Sequence, residues 1–196
     1  MADDRVETID LPGGRQLVYW PAAFAGQADD WFAQLYPIID WRQDTIRIAG
    51  KHIPLPRLQA WYGEHAYRYS GIDMAAASAP PLLEQIRQQV EQLTGRHFNA
   101  VLANLYRNGN DSVGWHSDDE PELGPAPVIA SLSLGALRRF SLRPAGGGQS
   151  LQLELAHGSL LLMTAGVQAD WQHALLKAPA IKRPRINLTF RYRWPG

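Results

Sequence analysis

The hydrophobic period of this chain changes at Gly95, and that change decides the class of fold open to it. Residues 80–94 (PPLLEQIRQQVEQLT) place Leu82, Leu83, Ile86, Val90 and Leu93 on one helical stripe, with prolines in the first turn and Gly95 at the C-cap. Beyond Gly95 the helical stripe does not recur. Residues 97–106, 128–134, 137–142, 150–155, 159–163, 173–176 and 186–193 are short runs bounded by Gly, Pro, Asn or Asp, and several alternate, as in SLQLEL and INLTFRYR. Seven such runs predict a sandwich, jelly roll or barrel. A second helix is expected upstream over residues 28–37, opening on Asp29 and Asp30 and stopping at Pro37.

At 196 residues the chain is expected to form a single domain, with 45% apolar and 19% charged residues excluding disorder through charge excess. No apolar run approaches the roughly 18 residues of a membrane span. The N-terminus, MADDRVETID, is acidic and lacks the apolar stretch of a signal peptide. Zero cysteines exclude disulfides, a thiolate nucleophile and thiolate metal ligation. A cytoplasmic monomer is the resulting expectation. Net charge is zero, so a generally basic nucleic-acid binder is not indicated. Acids nonetheless gather at Asp111, Asp118, Asp119, Glu120 and Glu122, and bases at Lys182, Arg183, Arg185, Arg191 and Arg193. The glycines at 146–148 read as a turn, because no helix follows to make a phosphate loop.

Chemistry concentrates on His116-Ser117-Asp118 and the distant His173. On an extended segment positions i and i+2 face the same way, so His116 and Asp118 can share an ion. A second imidazole from another strand completes a face of two nitrogens and one carboxylate. Three octahedral positions then stay open, which suits non-haem Fe(II) holding a chelating cosubstrate and O2. Taken alone, His-x-Asp is a short pattern that also occurs by chance.

The last expected strand adds context. Arg185 and Arg191 lie six residues apart, an even spacing that puts both on one face with Asn187 and Thr189. Two inward arginines are costly without anions, and a dicarboxylate beside the metal would supply them.

Taken in order, Asn104-Leu105-Tyr106, His116-Ser117-Asp118-Asp119-Glu120, His173 and Arg185-x-Asn187-Leu188-Thr189-Phe190-Arg191 resemble the AlkB family. Upstream, Pro56-Arg57, Trp61-Tyr62-Gly63-Glu64 and Tyr67-Arg68-Tyr69-Ser70-Gly71 extend the resemblance to residues 48–193. It points to the branch with the human DNA-repair homologues. The resemblance implies a mainly β fold with flanking helices around a double-stranded β-helix (jelly-roll) dioxygenase core. Residues up to about 95 would hold N-terminal helices and a nucleotide-recognition lid, and residues from about 96 the core.

It also implies a function: Fe(II)- and 2-oxoglutarate-dependent removal of methyl groups from 1-methyladenine and 3-methylcytosine in DNA or RNA. O2 would be consumed, and formaldehyde, succinate and CO2 released. His116, Asp118 and His173 would hold iron. Arg185 would pair with one 2-oxoglutarate carboxylate or with Asp118, and Arg191 with the distal carboxylate. Asn104 and Tyr106 would hydrogen-bond the cosubstrate, with Asn187 and Thr189 lining its pocket. Tyr69 would sandwich the flipped base, Asp119 and Glu120 would face its edge, and Tyr67 and Ser70 would belong to the same substrate-binding segment. Arg57 and Arg68, with Lys51, are the expected phosphate contacts. The remaining histidines, His52, His65, His97 and His157, read as structural or surface groups.

The acids make electrostatic sense, since both methylated bases are cationic near neutral pH and the unmodified bases are not. One position departs from the duplex-invading members of the family. Alignment on Gly50-Lys51 and Pro56-Arg57 puts Ala49 where they carry a bulky finger, and a methyl group is a poor wedge. Single strands are therefore the expected substrate. Two alternatives stay open at this stage: a dioxygenase for a small molecule or a protein, and a jelly-roll binding module without catalysis.

Overall fold

The computed structural model describes residues 5–48, 50–69 and 71–194. In chain order its elements are β1 (Glu7–Leu11), β2 (Arg15–Trp20), α1 (Ala28–Ile38), β3 (Thr45–Ile48), β4 (Lys51–Pro54), β5 (Leu58–Gly63), β6 (Tyr67–Tyr69), β7 (Ile72–Met74) and α2 (Pro81–Thr94). The second half contributes β8 (Ala100–Tyr106), β9 (Val113–His116), β10 (Ile129–Gly135), β11 (Arg138–Pro144), β12 (Leu151–Leu155), β13 (Ser159–Met163), α3 (Val167–Asp170), β14 (Trp171–Leu175) and β15 (Arg185–Arg191). No helix of the described residues is long and apolar enough to cross a membrane.

Two antiparallel sheets face each other as a jelly roll. The larger has the order β1-β2-β13-β10-β15-β8-β5 and the smaller β12-β11-β14-β9. Separate hairpins, β3–β4 and β6–β7, flank them. The expected division near residue 95 is not a boundary of the sheet, because β1, β2 and β5 all join the larger one.

Period-two alternation explains why this sheet is buried on both sides. Val101, Ala103 and Leu105 of β8, Ala130, Leu132 and Leu134 of β10, and Ile186, Leu188 and Phe190 of β15 pack into one cluster with α1 and α2. Ala28, Trp31 and Leu35 come from α1, and Leu83, Ile86 and Val90 from α2. The intervening residues face the space between the sheets, where Leu17, Ile129, Phe140, Leu142, Leu161 and Trp171 close one end in apolar packing. Each fully buried aliphatic or Phe side chain contributes about 1.5–3 kcal/mol, which offsets the burial of arginines on the other face.

Both helices form where expected, with one difference in length. Pro37 lies inside the last turn of α1 and does not stop it. At that end a proline forfeits a single backbone bond, and the Ile39 N–H closes the helix on the Leu35 carbonyl. Gly95 adopts φ +64° and returns its N–H to the Glu91 carbonyl, as a left-handed C-cap requires.

Candidate active site

The alternate residues of β8, β10 and β15 line a cavity between the sheets with Asn104, Tyr106, Ser131, Arg185, Asn187, Thr189 and Arg191. The smaller sheet closes it with His116, Phe140 and His173. Antiparallel pairing of β9 with β14 sets His116 directly opposite His173, and their ring centroids are 4.3 Å apart. Asp118 follows just past the end of β9. One ligand atom from each of His116, Asp118 and His173 lies within 4.8 Å of the others.

Several contacts prepare this trio for a cation. The Gly114 carbonyl accepts from His116 Nδ1 at 2.8 Å, so that nitrogen carries the proton and Nε2 keeps its lone pair. His173 is held neutral: burial pushes its pKa down to about 3, reinforced by His116 beside it. Burial would push Asp118 up, but the charge of Arg191 foremost, with the two imidazoles beside it, outweighs that and holds the carboxyl at about 2. Arg191 Nη2 donates to Asp118 Oδ2 at 2.8 Å. The other oxygen, Oδ1, is buried with no hydrogen-bond partner among the described residues. An orphaned carboxylate oxygen between two imidazoles fits a hard divalent cation with oxygen and nitrogen ligands.

The arginines divide their roles differently from the expectation. Arg191, and not Arg185, pairs with Asp118. Six residues of strand separate the two arginines by about 20 Å along the backbone, and Arg191 is the one beside the triad. Thr189 Oγ1 accepts from Arg191 and donates to the Leu102 carbonyl, so it orients the guanidinium. Arg185, at the other end of β15, donates to Ser133 Oγ at 2.9 Å and lies over the Tyr106 ring. Burial lowers its pKa to about 10, against the favourable pull of Tyr106. Its Nε has no partner among the described residues. The Asn187 amide donates to Ser131 Oγ and the Leu132 carbonyl, so its nitrogen is already committed within the wall.

Arg57 is not at the surface. It is buried in the cavity wall, and its Nε donates to Asn104 Oδ1 at 3.1 Å. Gln59 Nε2 donates to the same oxygen at 3.0 Å. With its oxygen doubly engaged, Asn104 presents its amide nitrogen to the cavity as a donor. An arginine so enclosed cannot serve as the expected phosphate contact. Arg68 and Lys51 remain exposed.

Tyr67 also differs from an open stacking platform. It is 1% exposed, stacks on Trp61 at 4.2 Å, and its hydroxyl donates to Glu120 Oε2 at 2.8 Å. Burial, and then Asp118 nearby, push the Glu120 carboxyl above its usual range. Asp119 is exposed beside it, and a shallow depression with Arg68, Gly71 and Ser117 adjoins them. The side chain of Tyr69, with Ala49 and Ser70, lies outside the described residues.

Four further buried side chains, outside the expected set, support the site. Ser131 lines the cavity and Ser133 accepts from Arg185, both set on one face by the alternation of Ser-Leu-Ser-Leu in β10. Arg138 is 1% exposed and ties the carbonyls of Asp111 and Leu176 together, with its guanidinium over Tyr106. Gln168 meets Asp118 from α3. Nothing local distinguishes these last two from surface polar residues.

A model of the 2OG-Fe(II) oxygenase superfamily matches residues 17–191. Among curated proteins, the alpha-ketoglutarate-dependent dioxygenase alkB homolog 3 of Bos taurus is 46% identical over 86% of this chain, and its Homo sapiens counterpart 42% identical over 96%. The chain spans 63% of the bovine protein's length and 70% of the human one's. The DNA oxidative demethylase ALKBH2 of Mus musculus is 38% identical over 84% of this chain and 74% of its own. The solved structure of OsALKBH1 superposes with a TM-score of 0.65 at 17% identity, covering 89% of this chain and 97% of that one. The chain belongs to the AlkB family of the 2OG-Fe(II) oxygenase superfamily, whose members are Fe(II)- and 2-oxoglutarate-dependent dioxygenases using O2.

Proposed function

We propose that the chain removes methyl groups from 1-methyladenine and 3-methylcytosine in nucleic acid, acting on single strands in preference to duplexes. The observation that carries this reading is the pair of acids that adjoin the triad along the chain and line the depression beside it. Glu120, anchored by Tyr67, and the exposed Asp119 follow directly on the Asp118 that faces both imidazoles. A cationic methylated base is drawn to such an edge and a neutral base is not. The names of the ALKBH2 relatives, DNA oxidative demethylases, support the same substrate class.

In this reading His116, Asp118 and His173 hold iron, with Arg191 keeping the carboxylate ionised and oriented. Arg185, stacked on Tyr106, takes the distal carboxylate of 2-oxoglutarate, and the Asn104 amide donates to a cosubstrate oxygen. With O2, the bound iron and cosubstrate supply the oxidation of the methyl carbon, yielding succinate, CO2 and formaldehyde. Leu102, Val113, Phe140 and Leu175 line the cavity with apolar surface that excludes water. Glu120 and Asp119 select the base by charge, and the exposed Arg68 and Lys51 meet the backbone. Unstacking a base costs a few kcal/mol and is cheapest in a single strand.

The test is mass-spectrometric demethylation of 1-methyladenine and 3-methylcytosine in single- and double-stranded DNA and RNA, with formaldehyde measured alongside. His116→Ala should abolish turnover. Cosubstrate decarboxylation that no methylated oligonucleotide stimulates, but a small molecule or a protein does, would replace this reading.

A further inference from the structure

Asp118 is the one member of the triad that strand pairing does not place. His116 and His173 are register partners in β9 and β14, whereas β9 ends at His116 and Asp118 lies two residues beyond it. Its backbone N–H is therefore off the ladder, and a buried N–H must find another acceptor. That acceptor is Gln168 Oε1, at 2.9 Å. Gln168 is 1% exposed and sits on α3, the single turn between β13 and β14. Its Nε2 donates to the Met163 sulfur at 3.3 Å, which fixes the amide with its oxygen toward Asp118. Arg15 pairs with Asp170 at 2.6 Å and ties α3 to β2. One residue earlier, Ser117 Oγ donates to the Trp171 carbonyl at the start of β14. The segment bearing the carboxylate is thus pinned from the β13–β14 connection.

We infer that Gln168 is a positioning residue for the Asp118 carboxylate, and that it sets the metal affinity of the site. The inference rests on His116, Asp118 and His173 being the metal ligands. Gln168 touches the backbone of Asp118 and no side-chain ligand atom, so it acts through Asp118 alone. With its acceptor gone, the buried N–H seeks another partner, and the backbone that carries the Asp118 carboxylate is no longer fixed relative to the two imidazoles. Outer contacts of this kind are worth about ten- to a hundredfold in metal affinity.

The experiment is titration of the metal-free full chain with Co(II), followed by its visible absorption, on wild type and on Gln168→Leu, Gln168→Asn, Gln168→Glu and His116→Ala. Gln168→Leu removes the acceptor, and Gln168→Asn keeps an amide one methylene too short to reach. Both should bind Co(II) about ten- to a hundredfold more weakly with an altered band. Gln168→Glu keeps an acceptor oxygen at the same reach but loses the donor to Met163, so its band should lie nearer the wild-type one than that of Gln168→Asn. Thermal melting of the metal-free proteins separates this from loss of fold, and the asparagine variant decides the matter if the leucine variant does not fold. Wild-type affinity and spectrum in Gln168→Asn would overturn the inference while leaving the triad intact. Wild-type Co(II) binding by His116→Ala would instead overturn the triad on which it rests.

Discussion

Arg191 Nη2 donates to Asp118 Oδ2 at 2.8 Å, and both side chains are almost fully buried, at 3% and 2% exposure. The pair closes one end of the polar face of β15, with Arg185 at the other end.

Replacing Arg191 by Met should leave a buried carboxylate without its counter-charge. Breaking a buried pair from one side costs about 3–5 kcal/mol. Thermal unfolding of the metal-free protein should show that loss, and added Mn(II) should restore part of it by supplying positive charge. A melting temperature equal to wild type without metal would show that the pair contributes nothing.

Arg185→Ala should raise the 2-oxoglutarate concentration for half-maximal turnover by about tenfold or more, since charge-assisted bonds contribute about 1.5–3 kcal/mol each. Oligonucleotide affinity should not change. Turnover against cosubstrate, together with fluorescence anisotropy on a labelled single strand, separates the two effects. An unaltered cosubstrate dependence would remove Arg185 from this role.

Arg57 and Arg68 should part company in salt. Each phosphate contact on a single strand adds about 0.7 to the slope of log affinity against log salt. Arg57→Ala should leave that slope as it is and weaken cosubstrate use, because Arg57 holds Asn104. Arg68→Ala, at an exposed side chain, should lower the slope by about 0.7. A lowered slope in Arg57→Ala would return it to the nucleic-acid interface.

Strand preference is open to direct measurement. With an alanine at position 49 and no net charge, matched duplex should be repaired more slowly than the same strand alone. Unstacking costs a few kcal/mol, so the ratio of initial rates should reach about ten- to a hundredfold. Ala49→Phe should narrow it by supplying a wedge. Equal rates at limiting substrate would place the wedge on another residue.

Much of the molecule follows from local pattern. The stripe of α2 and its Gly95 cap set a helix, and the alternation from residue 128 onward set the strands, because a half-buried surface imposes its period on the chain that covers it. The four polar residues of β15 share a face for the same reason. The first hairpin, Glu7–Leu11 with Arg15–Trp20 around Gly13 and Gly14, carries a comparable signal in its paired glycines. β9 carried almost none: four residues, one of them glycine, held by an irregular pairing to β14. Its position depends on a partner nearly sixty residues away.

Tertiary packing alone decided the pairing of charges. Even spacing puts Arg185 and Arg191 on one face but cannot say which end of the strand meets Asp118; that depends on where the smaller sheet lies across β15. Burial of Arg57 and Tyr67 was equally hidden, since an arginine or tyrosine beside a turn reads the same whether it faces water or a neighbouring sheet. Gln168 is the sharpest case. Its role comes from an acceptor reaching a backbone N–H fifty residues away, and a hydrogen bond between distant segments leaves no period in either of them.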